Sequence, residues 1–277
     1  MRLLFYLVLL IFPSLLQPVV VAQPLNKQCD ISESAIEKDL RQDQAEASAR
    51  KYCFSHATSI GNSENSDIPE RCFYLLLPDC AAEKEDVKLV VDLHDKGSCP
   101  LQQSRQSGWK EYALSECFVV AWPLGITDET VADESCFTVP GGLEVFNGNG
   151  LSLGSAPDCC CTKDGKYLSE STTNDVSFLR TILGTAIHQA NNQGIYVNPM
   201  TVEITGYGNG ATAALGFAAL NSDIVACVSS FSGSLVTPFP ENYKAVPLFT
   251  VLDTGIINED QVLTGSTIIY RSRHWYN

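Results

Sequence analysis

The residues with the clearest chemical context form one short string, Gly206-Tyr207-Gly208-Asn209-Gly210, which follows the β-branched run TVEIT and leads directly into the alanine-rich ATAALGFAAL. A strand that turns straight into a helix through small residues is the setting in which acyl-transfer enzymes expose a nucleophile, because the tight turn lifts its central side chain above the sheet edge. Here the central residue is Gly208, which has no side chain to attack a carbonyl. Gly150-Leu151-Ser152-Leu153-Gly154 does satisfy the G-x-S-x-G spacing, but it continues into Ser155-Ala156-Pro157-Asp158 rather than a helix. A turn within a loop is the expectation there.

The elements that must position this turn are short apolar runs at Cys72 to Leu77, Val87 to Leu93, Cys117 to Trp122, Thr201 to Thr205, Ile224 to Ser230 and Val246 to Leu252. Their continuous apolar character predicts strands buried on both faces. Asp175 to Ala190 carries Val176, Leu179, Leu183, Ala186 and Ile187 at helical spacing behind a possible Asn174 cap, and Ala211 to Leu220 predicts a second helix. Asp175 is assigned to that first helical turn, where a carboxylate favours the dipole. Strands alternating with helices predict an α/β domain with a mostly parallel sheet and helices on both faces. The stretch from Ser32 to Ala57 has helix-forming composition, so residues 23–70 read as an N-terminal helical extension and linker, with the compact domain spanning 71–277. The Gly-, Asn- and Cys-rich segment from Thr127 to Lys166 has no period and is expected to be cross-linked or functional.

The chain of 277 residues carries 18 basic and 32 acidic side chains, a net charge of −14, which argues against a nucleic-acid groove or an affinity for anionic membranes. Residues 1–22, with Arg2 ahead of an apolar run broken by Pro13 and Pro18, read as a secretory signal peptide cleaved after Ala22, leaving no membrane segment. All eleven cysteines, at 29, 53, 72, 80, 99, 117, 136, 159, 160, 161 and 227, follow that point, so disulfides are expected, with Cys53 pinning the extension together with Cys29. The odd total leaves at least one thiol, for which Cys227 in an apolar run is a buried candidate. No metal site and no cofactor are expected, since no phosphate-binding string, dinucleotide fingerprint or ligand-spaced Cys/His set is present.

From Arg71 to Gly265 the chain resembles the secreted α/β-hydrolase family of polyhydroxybutyrate depolymerases and feruloyl or acetylxylan esterases. The pieces that carry the resemblance occur in the family's order: RCFYLLLP, KLVVDLHDKGSC, ECFVVAWPLG, DCCC, NDVSFLRTIL, TGYGNGATAALGFAAL, VACVSSFSGS and VPLFTVLDTG. The resemblance implies a disulfide-linked α/β-hydrolase-type fold. It also implies that Tyr207 and Gly208 stand where the family has histidine and the nucleophilic serine, and that His94-Asp95 replaces a His-Gly on the oxyanion side. A carboxylate at that point opposes a developing oxyanion. The family's acid falls near Asp253 or Asp260, and its base belongs to a segment beyond this chain, leaving His274 as the sole histidine after the turn. His94, Asp95, Trp122, Tyr207 and Asn209 are the candidate cleft lining, Trp122 and Tyr207 being equally suited to a core.

These residues imply a secreted esterase- or depolymerase-like protein without Ser-His-Asp machinery, a pseudoenzyme that acts by binding. The expected ligand is a small aromatic or aliphatic ester, or a plant or polyester polymer that carries one. The alternative is an active carboxylic-ester hydrolase with a non-standard or incompletely represented site.

Overall fold

The computed structural model describes residues 49–55, 70–126, 135–138, 160, 175–233, 237 and 239–251. Seven strands are present among them: β1 (Arg50–Ser55), β2 (Glu70–Leu76), β3 (Val87–Leu93), β4 (Val119–Pro123), β5 (Val197–Tyr207), β6 (Val225–Phe231) and β7 (Leu248–Val251). They form one sheet in the order β1-β2-β4-β3-β5-β6-β7. β2 runs antiparallel to both of its neighbours, and the pairings from β4 through β3, β5 and β6 to β7 are parallel.

Among the described residues, four α-helices connect the strands: α1 (Pro100–Ser107), α2 (Trp109–Glu116), α3 (Asp175–Asn192) and α4 (Asn209–Leu220). The path from β3 to β4 moves toward the β1 edge, whereas those from β4 to β5 and from β5 to β6 move the other way. Right-handed crossovers therefore put α1 and α2 on one face of the sheet and α3 and α4 on the other. This is a fold of the α/β-hydrolase type, with a strand-to-helix turn at the carboxyl end of β5.

The strand runs read from sequence recur with their ends shifted by a few residues, because apolar continuity locates a strand's centre better than its ends. β3, VKLVVDL, is buried along nearly its whole length, as a central strand covered on both faces must be. On α3, Phe178, Leu179, Ile182, Leu183, Ala186 and Ala190 are buried at helical spacing. α4 is buried around nearly its whole circumference. Its small residues let it lie close against the sheet, and a Cβ at Gly210 would collide with the backbone carbonyls of Leu93 and His94.

Three features depart from the sequence reading. Residues 50–55 form a strand rather than a continuation of helix, so the sheet begins at Arg50 and not near Arg71. Period-two alternation overrides helical composition there: Tyr52 stacks on Phe73 at 5.5 Å between ring centroids, and Phe54 packs on Phe178 at 5.6 Å. Cys53 fastens the sheet itself, pairing with Cys72 across the β1–β2 register. The polar stretch after Ser98, which carries no strong apolar period, folds into α1 and α2. Pro100 opens the first, and Gly108 at φ 70° joins the two. Cys80–Cys117 and Cys136–Cys160 are further disulfides, and Cys227 is a half-buried free thiol. The signal segment, Cys29, His56 and the Gly150–Gly154 string lie outside the described residues.

Candidate functional site

The turn after β5 runs strand to helix through a positive-φ residue, with Gly208 at φ 52° and ψ −117°. Its N–H donates to the Phe231 carbonyl at 2.9 Å, which ties the turn to β6. The direction in which a side chain at 208 would point is filled. An added Cβ would collide with the carboxyl oxygens and carbon of Asp95, which reaches over from the end of β3. Asp95 Oδ1 accepts the N–H of Asn209 at 2.8 Å and that of Lys96 at 2.7 Å. The N–H of the residue after the nucleophile is the donor that an acyl-transfer enzyme offers to an oxyanion. In this chain the protein's own carboxylate holds it, at the positive end of α4.

His94 is fully buried, and both of its ring nitrogens are engaged by backbone. Gly125 N–H donates to Nε2 at 2.9 Å, so the proton lies on Nδ1, which donates to the Asp95 carbonyl at 2.7 Å. Burial pushes its pKa down to about 4. The ring is neutral near pH 7, with no lone pair left for a substrate.

A short strap, residues 135–138, passes over this point. Its Phe137 is fully buried, 4.8 Å from the His94 ring between centroids. The Asn209 side chain holds the strap on both edges: Phe137 N–H donates to Oδ1 at 2.7 Å, and Nδ2 donates to the Phe137 carbonyl at 2.9 Å. Thr138 donates through both N–H and Oγ1 to Asp175 Oδ2, at 2.7 and 2.8 Å, and Arg71 Nη2 meets Asp175 Oδ1 at 2.6 Å. The Arg71 guanidinium lies over the Phe178 ring at 4.0 Å, with Nε and Nη1 unpaired. Gly97 N–H to the Ser135 carbonyl, the Ile126–Cys136 bridge and the Cys136–Cys160 disulfide complete the fastening.

Trp122 packs in the core, fully buried, with Nε1 donating to Asp92 Oδ2 at 3.0 Å. Gln103 Nε2 donates to the other oxygen at 2.8 Å. Burial raises the Asp92 pKa to about 7.

No family model and no curated protein matches the chain. Solved structures do align with it. An S-formylglutathione hydrolase from Staphylococcus aureus is 12% identical over 68% of this chain and 58% of its own, with a TM-score of 0.42. A ferulic acid esterase is 10% identical over 69% and 62%, at 0.42. An acetyl xylan esterase from Aspergillus awamori is 14% identical over 68% and 53%, at 0.40. The chain thus spans less than two thirds of the length of each of these structures.

Of the residues singled out from sequence, the structure brings His94, Asp95, Gly208 and Asn209 together and sets Tyr207 beside them at the end of β5, 37% exposed. His188 is exposed on α3, next to Asn192. Asp253, Asp260 and His274 lie outside the described residues. Asp175 is more than a cap: it is the buried hub joining β2, α3 and the strap. Sequence reasoning missed Phe137, Arg71 and Asp92. The adjoining Cys136 was the available signal for the first, and an acidic residue inside the apolar run VKLVVDL for the last. Among the described residues, no group of three or more His, Cys, Asp or Glu is placed to hold a metal ion.

Proposed function

We propose that this chain is a secreted α/β-hydrolase-type protein, akin to the polyester depolymerases and feruloyl or acetylxylan esterases, that does not turn over esters and acts by binding. The observation that carries the reading is the Asp95 carboxylate in the room a nucleophile would need, bonded to the N–H an oxyanion would need. A carboxylate fixed there both excludes the reacting carbonyl and repels charge developing on it. The neighbouring imidazole has both nitrogens committed and serves no proton transfer. The disulfides and the N-terminal apolar segment support secretion. The ligand class is an aromatic or aliphatic ester, free or on a plant or polyester polymer, met by the exposed ring of Tyr207.

The test is hydrolysis of p-nitrophenyl acetate and methyl ferulate by the purified, folded protein, beside heat-treated protein and the Gly208→Ser variant. Neither folded protein is expected to exceed the heated control. Turnover by the unmutated protein that is lost on heating overturns the reading.

A further inference from the structure

The two faces of the sheet are unequally covered. Asp92 on β3 accepts from Gln103 of α1, and the contacts of α1 and α2 run to β3 and β4. Residues paired across parallel strands share a face. The register Val90 with Glu203, Glu203 with Cys227, Ser229 with Phe249 and Phe231 with Val251 therefore continues the α1–α2 face across β5, β6 and β7. On that continuation, Phe231 and Phe249 meet edge to face at 5.9 Å, Phe249 is 58% and Val251 44% exposed, and Cys227 and Glu203 are only half-buried. The opposite face of β5 and β6 is sealed by α4. Contiguous aromatic and aliphatic surface beside a half-buried carboxylate calls for a cover.

We propose that residues 261–277 of this same chain are that cover. The chain leaves β7 at Val251, on this face and at this edge, so the segment is tethered within reach. QVLTGSTIIYRSRHWYN supplies Val262, Leu263, Ile268, Ile269 and Trp275 as apolar contacts. It holds Arg271 and Arg273 and no acidic residue, while all 32 acidic residues of the chain precede it. A basic, apolar segment against a strongly acidic body is complementary in both respects, and Glu203, bonded to Ser229 Oγ at 3.0 Å, is a fitting partner for an arginine. A second copy would instead set one acidic body against another.

The test uses the full chain with p-benzoylphenylalanine in place of Phe249, irradiated and mapped by mass spectrometry, with the same group at Val251 as a second position on the face. Thr250, which points to the other face, is the control. Cross-links within one chain to residues 261–277 from 249 and 251, but not from 250, are expected. Arg271→Glu with Arg273→Glu is expected to cut the yield several-fold. Cross-linked dimers, cross-links to a separate protein, products confined to other segments, or no product from two folded variants each overturn the proposal.

Discussion

The carboxylate of Asp95 fills the space into which any side chain at Gly208 would project. The two positions follow different strands, β3 and β5, and are far apart in the chain, yet one is readable only through the other. A glycine at the centre of the turn leaves room for the acid, and the acid replaces the ligand that the α4 N-terminus would otherwise seek.

The first prediction concerns that pair. Gly208→Ser forces a Cβ into the carboxylate at a backbone φ of 52° and should cost about 2 kcal/mol or more. Asp95→Ala, which uncaps Asn209 N–H, should cost about 1 kcal/mol. Gly208→Ser with Asp95→Ala should be more stable than the sum of the single changes by about 1 kcal/mol, measured by urea unfolding. It should still lack esterase activity, because His94 remains committed to backbone.

The second concerns pH. Folded Asp92 holds its proton up to about 7, against an ordinary 3.8, so the folded state binds more protons in that window and stability falls as pH rises through it, by about 4 kcal/mol in all. Folded His94 takes its proton only near 4, against 6.5, so stability falls as pH drops from 6.5 to 4, by about 3 kcal/mol. The two slopes oppose each other across most of one window. Between pH 4 and 6.5, Asp92→Asn should therefore lose stability toward acid and His94→Gln should lose it toward neutrality, while the parent protein changes less than either. Denaturant midpoints across that range are the measurement.

A third expectation follows from the half-satisfied Arg71. Removing either partner of its buried pair with Asp175 strands a charge, and Arg71→Met or Asp175→Asn alone should each cost about 3 kcal/mol. Because both charges of the pair leave together, the double variant should be less destabilised than the sum of the two, a coupling that a thermal double-mutant cycle reads directly.

The fourth is at the strap. Phe137→Ala should cost about 3 to 5 kcal/mol by cavity formation. It should also wet His94 and move that imidazole from about 4 upward toward 6.5, visible by NMR titration of its ring protons.

Residues whose pattern is carried by their immediate neighbours were legible in the sequence. VKLVVDL announces a central strand by its own composition, and TGYGNGATAAL announces a strand-to-helix turn by its own glycines. Residues whose role depends on a distant partner were not. Asp95 reads as a hindrance to an oxyanion, but that it caps α4 requires knowing that β3 and β5 are neighbours. Asp175 has the local look of a helix start, while Arg71 and Thr138, which make it a hub, come from elsewhere in the chain. β1 was lost to composition, since the charged and alanine-rich residues before it favour helix and only the cross-strand partner Phe73 reveals Tyr52 and Phe54 as a strand face.

The side-chain amide of Asn209 meets the Phe137 peptide with one donor and one acceptor, as a neighbouring strand would, from 72 positions further along the chain. Such a bond cannot form until β5 and α4 exist and β3 lies beside them. Closing so long a loop before any contact repays it is costly. The strap is therefore expected to lock after the site beneath it is built. Changes at Phe137 should mainly speed unfolding and leave the folding rate nearly untouched.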